Sequence, residues 1–254
     1  MIQYAAYIIC GTPRSGSTLL CEMLAASGLA GRPNSYFRQQ DIVYWADRWA
    51  VPHPDGVETA EFDRAYLAAM LQAGRGGTEI FGLRLMAASV ADAARRLDRV
   101  AGAEGDVTER FAAAFGPVLY IQLSRGDTIA QAVSLVRAEQ SGLWHLAADG
   151  SVLEGAEELR PMVYDGDRIA TLVRELSRDN AAWGAFFAAH DIAPLRLSYE
   201  SLTADPQAAL ATVLAALGRD PEIARSVAVP TAKMASGTSR QWAEKFRTER
   251  SSGL

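Results

Sequence analysis

Eight consecutive residues, Gly11-Thr12-Pro13-Arg14-Ser15-Gly16-Ser17-Thr18, combine two glycines, four hydroxyls and one guanidinium. They follow the apolar run Ala6–Cys10 and precede a stretch in which Leu19, Leu20, Met23 and Leu24 recur at helical spacing. Such a loop, between a strand and a helix, can surround a phosphate or sulfate with backbone N–H groups, and Arg14 supplies a planar cation. A second group lies in Leu119-Tyr120-Ile121-Gln122-Leu123-Ser124-Arg125, followed by Ser134. Arg125 at a strand end can fork onto a phosphate, and Ser134 on the next helix can donate a hydrogen bond. A glycine turn and a surface arginine are the plain alternatives. Two such groups in order, each at a strand-to-helix junction, make anion binding the more specific reading.

The elements that must position these residues follow from periodicity. Strands are expected at 6–10, 80–86, 118–123 and 194–198, where short apolar runs are bounded by Gly or Pro. Helices are expected at 17–27, 89–100, from Asp127 to about Trp144, at 167–190, from Asp205-Pro206 to Gly218, and around 240–247. Residues 31–77, with Pro33, Pro52, Pro54 and the aromatics Tyr36, Phe37, Tyr44, Trp45 and Trp49 among them, read as an irregular excursion with two short helices, and 149–166 as a polar loop. The alternation predicts an α/β fold with three layers, α/β/α, around a central parallel sheet, formed by residues 1–254 as a single domain.

Composition limits the partners. The net charge of −5 argues against nucleic acid or an anionic membrane surface. All but two of the 25 basic residues are arginine, which suits a GC-rich genome and also a few planar-anion contacts. Cys10 and Cys21 form no CxxC and read as core residues. His53, His145 and His190 lack ligand spacing, so no metal is expected, and His145 and His190 read as helix C-terminal residues. No apolar run is long enough to span a membrane and no signal peptide is evident, so a cytoplasmic protein is expected.

The first motif has the spacing of the P-loop, Gly-x-x-x-x-Gly-Lys-Ser/Thr, but Ser17 stands where that pattern has lysine. The sequence Thr-Pro-Arg-Ser-Gly-Ser-Thr-Leu-Leu resembles the 5′-phosphosulfate loop of sulfotransferases that use 3′-phosphoadenosine 5′-phosphosulfate (PAPS, with product PAP). The Arg125…Ser134 element resembles their 3′-phosphate element. Leu197-Ser198-Tyr199-Glu200-Ser201-Leu202 is similar to their Tyr-Glu-Asp-Leu segment. Gly237-Thr238-Ser239-Arg240-Gln241-Trp242…Phe246 keeps part of the late loop that closes over the nucleotide. Gly28–Pro33, Arg84-Leu85-Met86 and Gln131–Ala138 add a resemblance to bacterial Stf0-type sulfotransferases, whose known member sulfates trehalose. The resemblance implies a P-loop-like fold and in-line transfer of a sulfuryl group from PAPS to a hydroxyl of a small-molecule or carbohydrate acceptor. It also implies a possible homodimer. Pro13, Arg14, Ser15, Gly16, Ser17 and Thr18 would take the 5′-phosphosulfate, Arg125 and Ser134 the 3′-phosphate, and Thr238, Arg240 and Trp242 the closing contacts. Arg14 and Arg84 would face the transferring group.

One position departs from the family. Its Gly-x-Pro-x-Glu-Phe-Phe segment, whose Glu is taken as general base, reads Gly31-Arg32-Pro33-Asn34-Ser35-Tyr36-Phe37 here. A serine hydroxyl has no useful basicity at neutral pH. Asp41, His53 or Glu139 is then the candidate base, with Asp41 and His53 nearest in sequence. A more acidic acceptor, or a nucleotide-binding protein without transfer, are the other readings. A P-loop kinase would need the lysine that Ser17 replaces.

Overall fold

A computed structural model describes residues 3–102, 105–146, 152–155, 161–230 and 237–251. Strand β1 (Ala6–Gly11) is wholly buried, as a continuous apolar run requires. It leads through the glycine loop into α1 (Ser17–Ala26). Then come α2 (Ile42–Arg48), α3 (Ala60–Arg75), β2 (Phe81–Met86), α4 (Val90–Ala101), α5 (Val107–Phe115) and β3 (Val118–Ser124). The chain continues with α6 (Thr128–Ser141), β4 (Leu143–Leu146), β5 (Val152–Gly155), α7 (Gly166–Ala189) and β6 (Leu195–Ser198). Helices α8 (Tyr199–Ala204), α9 (Pro206–Ala216) and α10 (Gly237–Ser251) follow.

The four main strands pair in parallel in the order β2-β1-β3-β6. From β1 the chain reaches β2 on one side and β3 on the other. The crevice at the C-terminal ends of β1 and β3 is therefore the topological switch point where open α/β sheets bind ligands. Alternation along β1 separates two cores. Ala6, Ile8 and Cys10 pack with Phe81, Leu83, Trp183 and Phe187 on one face. Tyr7 and Ile9 pack with Leu20, Leu24, Leu210 and Val213 on the other. Helices thus cover both faces, giving the expected three layers. A third apolar cluster joins α6, α7 and α10 through Val133, Val136, Leu172 and Phe246.

Several expectations are corrected. Helix α6 ends at Ser141, because Gly142 takes the left-handed φ of 75° that stops it, and the chain does not stay helical to Trp144. Residues 143–146 and 152–155 form an antiparallel pair, so part of the predicted polar loop is strand, and His145 lies in β4 and not at a helix end. Of that loop, 149–151 and 156–160 lie outside the described residues, and 161–165 are irregular up to the start of α7 at Gly166. The excursion holds a seven-residue helix and a sixteen-residue one, not two short ones. Helix α5 was not anticipated, although Asp106 and Glu109 form a capping box at its start. The last helix begins at Gly237 and runs to Ser251, longer than expected. His190 does cap a helix C-terminus, that of α7, and its Nδ1 lies 3.0 Å from an Asp106 carboxylate oxygen.

Candidate functional site

The loop between β1 and α1 is shaped by two left-handed residues, Arg14 at φ 63° and Gly16 at φ 87°. At Gly16 a Cβ would come within 3.1 Å of the Tyr199 ring and 3.2 Å of Leu202 Cδ2, so only glycine fits there without strain. Arg14 is not glycine, and its conformation is held from outside the loop. Its Nε donates to Ser134 Oγ at 3.1 Å, its Nη1 donates to the Trp144 carbonyl at 2.6 Å, and Arg125 Nη1 donates to the Arg14 carbonyl at 3.2 Å. Gln131 Nε2 also reaches into the loop, donating to Thr12 Oγ1 at 2.9 Å and to the Pro13 carbonyl at 2.6 Å. Trp183 Nε1 donates to the Gly11 carbonyl at 3.0 Å.

The fold therefore brings Arg14, Arg125 and Ser134 together, although more than 100 residues separate the first from the other two. The reason is local. β1 and β3 are neighbours in register, with Gly11 opposite Leu123, so both loops open at one end of the sheet. Arg125 lies over the Tyr199 ring at 4.1 Å, a cation–π contact that fixes its plane. Burial pushes the Arg125 guanidinium below its ordinary range, against the pull of Tyr199, Asp127 and Glu200. Ser15 Oγ and Arg125 Nε are both buried and have no hydrogen-bond partner among the described residues. Two orphaned donors beside a left-handed glycine loop fit a bound phosphate-type anion.

Arg84, at the fourth position of β2, joins the same end of the sheet. Its Nη1 donates to Thr18 Oγ1 at 2.8 Å and its Nε donates to Ser35 Oγ at 2.7 Å. Ser35 is buried, so the hydroxyl at this position is held by a cation and stands beside the first helix. Ser17 is also buried, as the first residue of α1.

Asp41 and His53 lie elsewhere on the excursion. Asp41 pairs with Arg38 at 3.2 Å, and His53 Nε2 lies 3.2 Å from Asp47 Oδ1 with its ring stacked on Phe62. Glu139 accepts two hydrogen bonds from Arg168. Among the described residues, none of the three makes a hydrogen bond or ion pair with Arg84 or Ser35. In the late segment, Thr238 and Arg240 are exposed. Trp242 packs edge-on against Tyr164 with ring centroids 5.9 Å apart, and its ring belongs to the cluster that fixes α10 on α6. Ser239 Oγ accepts from Arg137 Nη1.

Sequence reasoning missed Gln131, Trp183 and the Tyr199 ring as parts of this constellation. Gln131 carried a usable signal, since it lies three residues before Ser134 and shares its helix face. Trp183 had none, because its contact depends on how α7 crosses β1. Among the described residues no group of three or more His, Cys, Asp or Glu could hold a metal ion, and no helix is long and apolar enough to cross a membrane.

Comparisons with known proteins cover most of the chain. A trehalose 2-sulfotransferase of Mycobacterium tuberculosis (strain ATCC 35801 / TMC 107 / Erdman) is 29% identical over 96% of this chain and 94% of its own. A trehalose 2-sulfotransferase of Mycolicibacterium smegmatis (strain ATCC 700084 / mc(2)155) is 28% identical over 96% and 95%. Among solved structures, the sulfotransferase domain of the Synechococcus PCC 7002 olefin synthase covers 95% of this chain and 94% of its own at 17% identity, with a TM-score of 0.46. The family model described as Stf0 sulphotransferase matches residues 6–249, which take in all four sheet strands and both strand-to-helix junctions. The chain belongs to the Stf0 sulphotransferase family.

Proposed function

We propose that this enzyme takes a sulfuryl group from PAPS and passes it in line to a hydroxyl of a small-molecule or carbohydrate acceptor. The observation that carries the reading is the junction of the two motifs: Arg14 bonds Ser134, and Arg125 bonds the Arg14 carbonyl. A donor with phosphate at both ends needs two anion sites at a fixed separation, and bonds between the two motifs support that reading. The names of the two mycobacterial relatives support a carbohydrate as acceptor.

When bound, PAPS supplies an activated sulfate whose loss leaves a phosphate. The residues of this chain would do the rest. The Ser15 hydroxyl and the N–H groups of Gly16, Ser17 and Thr18 would hold the 5′-phosphate at the start of α1, where the helix dipole favours an anion. Arg14 would offset the charge that gathers on the leaving oxygen. Arg125 and Ser134 would hold the 3′-phosphate. Arg84, braced by Thr18 and Ser35, would stand on the acceptor side and neutralise the moving sulfuryl oxygens. Positioning and charge neutralisation then do the work, as they do in phosphoryl transfer. Asp41 or His53, the latter oriented by Asp47, would take the acceptor proton.

The test is transfer of ³⁵S-labelled sulfate from PAPS to a panel of sugars, phenols and an extract of small molecules. A labelled, PAPS-dependent product supports the reading. No product with any acceptor, together with intact PAP binding, would favour a nucleotide-binding protein.

A further inference from the structure

The end of the sheet opposite the glycine loop holds a second concave surface. A cavity of about 590 Å³ is lined there by Tyr4, Arg75, Thr78, Glu79 and Arg219, among others. Tyr4 lies just before β1, and Thr78 and Glu79 lie just before β2, whose first residue, Phe81, stands opposite Ala6 of β1. The six residues of β1, at about 3.3 Å each, put the cavity about 20 Å from the loop that follows the strand. A ligand held there would touch none of the residues assigned to the transfer site.

Positive charge gathers at this cavity although the chain's net charge is −5. Arg75 is the last residue of α3, and Arg219 follows α9. Helix C-termini attract cations, which by itself would explain both positions. The carbonyls at these two ends, however, have other donors. The Gly76 N–H bonds the Gln72 carbonyl, the Arg32 N–H bonds that of Gly74, and Thr78 bonds that of Arg75 through both its N–H and its hydroxyl. After α9, the N–H groups of Leu217, Arg219 and Gly218 bond the carbonyls of Val213, Leu214 and Ala215 in turn. Among the described residues, neither guanidinium bonds a helix carbonyl, and Arg75 has no carboxylate partner. Arg219 Nε is buried without a hydrogen-bond partner, and its ion pair, at 3.4 Å, is with a Glu79 side chain that is 86% exposed. A third guanidinium stands close by. A Cβ at Gly76 would come within 2.7 Å of Arg32 Cγ and 3.2 Å of Arg32 Nε, so the Arg32 side chain lies across the end of α3. Asp220, next to Arg219 in the chain, accepts from the Glu222 N–H.

Three guanidinia against one exposed carboxylate favour an oxyanion, and the arginine fork matches phosphate geometry. Size narrows the class. The cavity falls in the range of about 300–1,000 Å³ typical of small-molecule sites and is far larger than inorganic phosphate. Tyr4, half-buried in its wall, adds aromatic surface. We propose that this cavity binds a small organic phosphate of about the size of a sugar phosphate, with Arg75 and Arg219 on the phosphate and Tyr4 against the organic part. The assignment does not rest on the PAPS reading.

The experiment is isothermal titration calorimetry with glucose 6-phosphate, inorganic phosphate and succinate on wild type, Arg75→Gln, Arg219→Gln, Glu79→Gln and Arg125→Ala. Glucose 6-phosphate should bind wild type most tightly of the three. Arg75→Gln and Arg219→Gln should each weaken it by about ten-fold or more, the loss of a charge-assisted contact, while Arg125→Ala leaves it within about two-fold. Glu79→Gln, which removes the like charge beside the phosphate, should tighten it by about two- to five-fold. A wild type that does not bind glucose 6-phosphate would overturn the proposal. So would a loss in Arg125→Ala as large as in the other two arginine variants, since the ligand would then occupy the transfer site. Tighter binding of inorganic phosphate or succinate would overturn the organic-phosphate class. A folding defect does not tighten binding, so Glu79→Gln decides the matter if Arg75→Gln or Arg219→Gln fails to fold by circular dichroism. Unchanged or weaker binding in Glu79→Gln would overturn the proposal.

Discussion

Arg14 Nε donates to Ser134 Oγ at 3.1 Å, joining the loop after β1 to the helix after β3. This bond holds Arg14 in a left-handed conformation that a non-glycine residue seldom adopts. In the proposed reading it also makes the two anion sites one unit. In a double-mutant cycle on PAP affinity, Arg14→Ala and Ser134→Ala should therefore be non-additive by about 0.5–3 kcal/mol. Losses that add within about 0.5 kcal/mol would show that the sites act independently.

Arg84 should behave differently from Arg125. In the proposed reading Arg84, bonded to Thr18 and Ser35, stands on the acceptor side of the loop. Arg84→Gln is expected to lower kcat by about 10²–10³-fold, the scale for one group that stabilises developing charge, with PAP affinity little changed. Arg125→Ala should instead weaken PAP directly. Steady-state kinetics beside calorimetry separates the two outcomes, and a PAP loss in Arg84→Gln as large as that in Arg125→Ala would remove Arg84 from the acceptor side. Asp41→Asn and His53→Gln in the same assay identify the proton acceptor, since its loss lowers kcat and leaves PAP binding intact.

The excursion is anchored by a buried ion network. Asp63, almost wholly buried, accepts from Arg96 and from Arg99 Nε at 2.5 Å, and Glu58 accepts from both arginines at 2.8 and 2.9 Å. Removing the central carboxylate leaves the buried Arg96 with only the half-exposed Glu58 as counter-charge. Asp63→Ala should cost about 3–5 kcal/mol in urea denaturation, as the loss of one partner of a buried pair does. A loss below about 1 kcal/mol would show that α3 and α4 are held together by their apolar contacts alone.

Asp127 gives a pH-dependent prediction. Burial by itself would raise its carboxyl, but the Ala130 N–H and the Arg247 guanidinium outweigh burial and hold it below the ordinary value. A group lowered on folding stabilises the protein above its unfolded pKa, about 4, and loses that contribution as pH falls through the folded value. Asn also caps helices well, so Asp127→Asn removes mainly the charge. The variant should melt lower than wild type at pH 7, by an amount limited by solvent screening because both side chains are 45% exposed. The gap should close below about pH 4, and a gap independent of pH would contradict the assigned pairing.

Much of this site was legible before the structure. The apolar runs at β1, β2 and β3 and the glycine loop lie where patterning places them, because a strand buried on both faces has little freedom in composition. The pairing of Arg14 with Ser134 was not legible, since it depends on β1 and β3 being neighbours, which no local pattern encodes. The β4–β5 pair was missed because its strands are four residues each, too short for alternation to stand out from a polar stretch. Helix α5 was overlooked although its capping box was present in Asp106-Val107-Thr108-Glu109. Trp242 was legible as a motif position but not as a packing residue. Its position matches a nucleotide-closing loop, and what no motif could give is that its ring also packs against Tyr164 within the α6–α7–α10 cluster.

The central claim is that the loop at 11–18 and the Arg125–Ser134 element form one site for a nucleotide with phosphate at both its 3′ and 5′ positions. Calorimetric titration of the wild-type protein with PAP, and with ATP plus Mg²⁺, tests it most directly. The account predicts tighter binding of PAP, lost in Arg125→Ala. Preference for ATP with Mg²⁺, or PAP binding untouched by Arg125→Ala, would contradict it.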